Sequence, residues 1–136
     1  MRARIAALMV AAAGITAATI APASAAVMSA ETGAASCAAV VDRPCVWQEK
    51  DGGGVVGVAQ FSAADPGQLT MVQVEIRTQK AWGSPWITTA SATTVTTGLV
   101  KAVTPRVSTH DLKMICATGG PALDATQRVT TCTGPF

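Results

Sequence analysis

The sequence predicts an all-β protein, a small antiparallel β-sandwich stapled by two disulfides. Three observations carry this expectation. From Val46 onward, short runs rich in β-branched residues recur, divided by clusters of Gly, Pro and Asp. Within one run Val72, Val74 and Ile76 alternate with Gln73, Glu75 and Arg77, the period of a strand with one buried and one wet face. Past the N-terminal segment, no stretch sustains an i, i+3, i+4 apolar pattern over three turns. A small, partly open β-barrel is the alternative.

In chain order, VWQEK (46–50) and VVGVAQF (55–61) flank DGGG (51–54), which reads as a β-hairpin because glycine reaches positive φ without steric cost. ADPG (64–67) is a turn. Leu69 to Lys80 is the clearest strand, and AWGSPW (81–86) a loop broken by Gly83 and Pro85. ITTASATTVTT (87–97) suits a pleated surface, since threonine is a middling helix former. Gly98 separates it from LVKAV (99–103), which Pro105 ends. LKMICA (112–117) is a further strand that Gly119, Gly120 and Pro121 are expected to break, and residues 128–133 make the last. Some seven short strands at regular spacing give a sandwich that is Ig-like in general shape.

The four cysteines are Cys37, Cys45, Cys116 and Cys132. Of three possible pairings, Cys37–Cys45 with Cys116–Cys132 is favoured because each pair is close in sequence. Each bridge is worth about 2–4 kcal/mol by closing its loop in the unfolded chain. Asp42, Arg43 and Pro44 form the turn inside the first. A zinc site expects C-x2–4-C spacing and a redox centre C-x-x-C; neither is present, and His110 is the single histidine. No metal or cofactor is expected.

The N-terminus explains why oxidation is expected. Arg2 and Arg4 precede an apolar run from Ile5 to Ala21, and Pro22-Ala-Ser-Ala-Ala26 supplies small residues for cleavage after Ala25. That is the pattern of a secretory signal peptide, shorter and more interrupted than a membrane span. Residues 1–25 are thus read as the signal, 26–36 as a flexible lead-in, and 37–136 as one β domain. Ala34-Ala-Ser-Cys37 only faintly resembles a lipobox, so the expectation is a secreted protein without stable membrane insertion. Richness in alanine, glycine and threonine points to a bacterium with GC-rich DNA.

With Arg2 and Arg4 removed, the ten basic residues become eight, against eight acidic. The basic residues are scattered singly, whereas binding phosphates calls for clusters of them; nucleic acid is not expected. For catalysis the place to look is His110-Asp111, with serines at 62, 84, 91 and 108, but there is no G-x-S-x-G, P-loop, dinucleotide fingerprint or HExxH. The chain is therefore read as a non-enzyme.

The tryptophans point elsewhere. Trp47 lies in a strand and belongs to the core. Trp82 and Trp86 flank a Gly-Ser-Pro turn, where flat apolar faces can meet a sugar ring or a protein, or fold back over the end of the sandwich. The expected function is extracellular binding of a protein or glycan through Trp82 and Trp86. The alternative is a proteinaceous hydrolase inhibitor presenting the Cys116–Cys132 loop, with residues 123–128 as its sensitive part. In signal, mature length, cysteine number and β content the chain is similar in a general way to the neocarzinostatin-like chromophore carriers and the subtilisin-inhibitor family of actinobacteria. The likeness carries no residue across, and the Cys116–Cys132 loop is longer than the carriers' second loop.

Overall fold

The computed structural model describes residues 36–136. The expected signal peptide, and the lead-in apart from Ser36, lie outside the described residues. Seven strands form: β1 (Cys45–Asp51), β2 (Gly54–Ser62), β3 (Leu69–Gln79), β4 (Ile87–Thr97), β5 (Leu99–Val103), β6 (Leu112–Pro121) and β7 (Val129–Cys132), with one 3-10 turn at Ala125–Gln127. They make two antiparallel sheets, in the orders β1-β2-β5 and β4-β3-β6-β7. The sheets stay separate, so the architecture is the sandwich and not the barrel. Gly98, with φ +76°, turns the chain from one sheet into the other between β4 and β5.

The period-two pattern of β3 does what it predicts. Val72, Val74 and Ile76, side by side with Ile115 and Ala117 of β6, pack against Ala59, Phe61 and Val100 of the other sheet in the main core. Partners opposite Ile76 and Val74 on β6 are Ile115 and Ala117, which fixes the register, because a one-residue slip would turn this face to water. Trp47 is buried as expected, but in a second, smaller cluster on the outer side of the three-stranded sheet. There it packs with Val58, Val56 and the Cys37–Cys45 bridge. Its indole Nε1 donates to Glu49 Oε1 at 2.9 Å, and the Lys101 ammonium stands 5.5 Å from the ring centre.

Both favoured disulfides form. Cys116 and Cys132 are direct partners in the β6–β7 ladder, so the bridge ties a four-residue edge strand to its neighbour. One expectation needs correction. Gly119, Gly120 and Pro121 do not break β6; they pair with Val72, Met71 and Thr70 of β3. A Cβ on Gly119 would stand 2.6 Å from Phe61 Cδ2, so the glycine is there to let the ring lie against the sheet.

This topology gathers the loops at two opposite ends. One end holds the β1–β2 turn, residues 104–111, the β3–β4 loop (80–86) and the C-terminal residues; the registers Gln79↔Leu112 and Thr78↔Ile87 and the Lys113–Phe136 backbone pair bring these together. The other holds the Cys37–Cys45 loop, residues 63–68, Gly98 and the β6–β7 loop (122–128). It is tied by Asp42 N–H to Ser62 O and by Ala122 N–H to Leu69 O.

Candidate functional site

The β3–β4 loop is shaped by backbone before side chains. Ser84 N–H donates to Ala81 O at 2.9 Å, Gly83 takes φ +87°, and the Gln79 side-chain amide donates to Ser84 O. This turn brings Trp82 and Trp86 to one place, as the sequence suggested. With Gln79, Gly83 and Pro135 they line an open hollow of about 340 Å³. Pro135 is positioned from far along the chain. The next residue, Phe136, exchanges both backbone hydrogen bonds with Lys113 at 3.0 Å each. Trp86 is half-buried against this wall, while Trp82 is 88% exposed and does not fold back.

The polar strip beside the loop is satisfied internally. Glu75 accepts from Gln73 Nε2 at 3.0 Å, from Arg77 Nε and Nη2 at 3.0 and 2.9 Å, and from the Thr88 hydroxyl at 3.4 Å. It is a solvated sheet face whose side chains converge on Glu75.

A larger cleft, about 590 Å³, opens at the same end between the edge of β1 and residues 107–113. Sequence reasoning missed it because its walls come from Gln48, Lys50 and residues 53–55, 107–113 and 136, which only the fold assembles. Ser108, His110 and Asp111 all lie on its wall. The hydrogen bonds here serve the loop itself. Asp111 N–H donates to the Thr109 hydroxyl at 2.9 Å, and the Lys113 ammonium donates to the carbonyls of Thr109 and Asp111. A Ser-His-Asp relay requires serine to histidine and histidine to carboxylate bonds; among the described residues neither is made. No three His, Cys, Asp or Glu side chains gather in a metal-holding group among the described residues.

At the opposite end, the β6–β7 loop presents Leu123, 90% exposed. The loop is braced on both sides of it. Arg128 donates through Nη2 to Ala122 O at 2.7 Å and through Nε to Pro121 O at 3.4 Å. Asp124 caps the 3-10 turn, accepting from the Thr126 hydroxyl at 2.6 Å, Thr126 N–H at 2.9 Å and Gln127 Nε2 at 2.8 Å. The Thr126 donors, hydroxyl first, hold the Asp124 carboxyl below its ordinary value of 3.8. The sequence marked this loop by its cysteines, but nothing in it singled out Leu123 as the apex.

Comparison of the chain with protein-family models, curated proteins and solved structures finds no match.

Proposed function

We propose that the chain is a secreted, non-enzymatic binding module that takes an extracellular glycan on the hollow formed by Trp82, Trp86, Gln79 and Pro135. The exposure of Trp82 carries this reading. Burying an indole is worth about 4 kcal/mol, and here that gain is forgone beside a half-buried second indole. An exposed ring next to an open hollow suits a sugar, which offers one apolar face to an indole. The two disulfides agree with an oxidising environment. No helix of the described residues is long and apolar enough to cross a membrane.

Co-sedimentation of the protein with insoluble cell wall, chitin and cellulose tests the reading. The protein should pellet with at least one polymer. Trp82→Ala should weaken this by about 2 kcal/mol, roughly thirtyfold, while leaving thermal stability nearly unchanged. Trp86→Ala should weaken binding and also cost some stability. If no polymer retains the protein, the glycan reading fails.

Leu123 favours a second reading. A braced loop with one apolar side chain at its apex is the shape that enters a hydrolase pocket. Capture of a secreted hydrolase by the wild type but not by Leu123→Ala, with Trp82→Ala unaffected, would replace the glycan reading with the inhibitor.

A further inference from the structure

The sandwich has four edge strands, β1 and β5 in one sheet, β4 and β7 in the other. An edge strand exposes a row of unpaired N–H and C=O groups and templates pairing with another chain, so edges are normally guarded by charge, proline or shortness. Three of these edges are guarded. β1 carries Glu49, Lys50 and Asp51; β5 has five residues with Lys101 at its centre; β7 has four residues. β4 is different. It runs for eleven residues, ITTASATTVTT, with no charge and no proline. A bulge at Thr89, between the Ile76↔Ala90 and Arg77↔Thr88 pairs, interrupts its ladder with β3 near one end, but from Ala90 to Thr97 the ladder is regular, and among the described residues no strand pairs with its other side.

We propose that β4 is a self-association edge. A second copy of this chain adds its own β4 antiparallel across a two-fold axis, and two four-stranded sheets become one continuous sheet. A second copy is the occupant the strand chemistry favours. An uncharged strand meets its own copy without setting like charges opposite each other, and threonines facing across strands are a favourable pair. For an axis at Ala92, Ser91 of one copy faces Thr93 of the other. The two Trp82 loops then lie at opposite ends of the joined strands, about 40 Å apart. Where the glycan reading holds, that spacing makes the dimer bivalent for a polymer; the dimer itself does not depend on that reading.

Sedimentation equilibrium of the exported protein over a wide concentration range tests the proposal. The wild type should be a monomer–dimer system. Ser91→Lys with Thr93→Lys should weaken dimerisation roughly tenfold or more by placing ammonium groups opposite one another. Because both positions are exposed, this variant should keep the wild-type circular dichroism. Thr130→Lys, on the β7 edge, should leave the dimer intact. Backbone amides of β4 should exchange more slowly as concentration rises. A wild type that stays monomeric throughout overturns the proposal. A dimer that survives the paired lysines but breaks with Thr130→Lys overturns the choice of edge.

Discussion

The two most exposed large apolar side chains among the described residues, Leu123 and Trp82, stand at opposite ends of the sandwich, in opposite settings. Leu123 projects from a loop braced by Arg128 and Asp124, at the end of the sandwich that also carries the Cys37–Cys45 staple. Trp82 stands beside a hollow whose walls come from β3, the β3–β4 loop and the C-terminal residues, with no disulfide at that end. A braced, projecting loop has the form the inhibitor reading needs, and a ring beside a hollow the form the glycan reading needs. The exposure is nearly equal, 90% against 88%, so it cannot tell the two apart; the surroundings do.

The largest expected effect breaks the braced end. Replacing Cys37 and Cys45 together by Ala removes a bridge worth about 2.5 kcal/mol in unfolded-chain entropy, and also frees the loop that covers Trp47 and Val58. The expected cost is about 3 kcal/mol, a fall of roughly 10–20 °C in Tm. Hydrogen exchange sharpens the comparison. Amides of residues 62–68 should exchange faster at temperatures well below Tm, while those of 81–86 keep their rates. Equal acceleration at both ends would mean that the sandwich opens as a unit and the ends are not independent.

Next in size is Gly119→Ala. The new methyl would stand 2.6 Å from Phe61, so the ring or the β3–β6 ladder must shift, at a cost of about 1–3 kcal/mol by denaturant unfolding. A neutral result would show that the ring is free to move.

That residue also shows where sequence reading stopped. The strands of the hairpin, of β3 and of β4 were legible because pattern and turn chemistry are local: alternation, DGGG, ADPG. The disulfide pairing was legible for the same reason, since each partner lies close along the chain. Gly119-Gly120-Pro121 looked like a break because its reason for being in a strand is Phe61, nearly sixty residues away in sequence. The same holds for function. Trp82 and Trp86 flag themselves by type and spacing. The wall that Pro135 supplies, the cleft beside Ser108 and His110, and the isolation of β4 at an edge all depend on strand order, which local pattern does not encode.

The smallest effect is electrostatic and belongs to one end alone. Asp124 is held below its ordinary value of 3.8 by the Thr126 hydroxyl, the Thr126 amide and Gln127. A carboxyl whose folded value lies below its unfolded value contributes stability above the unfolded value, and loses it as pH falls through the folded one. The brace on Leu123 should therefore be complete at neutral pH and weaken only below about pH 3.8. Asp124→Ala should loosen residues 122–128 at pH 7, seen as a faster Thr126 amide relative to wild type, and the difference should vanish once the wild-type carboxyl is protonated. The 81–86 loop, AWGSPW, has no carboxylate, so Trp82 signals should not follow this titration. If Trp82 and Leu123 respond together over the same acid range, the transition is general acid unfolding, and Asp124 is not a local clasp.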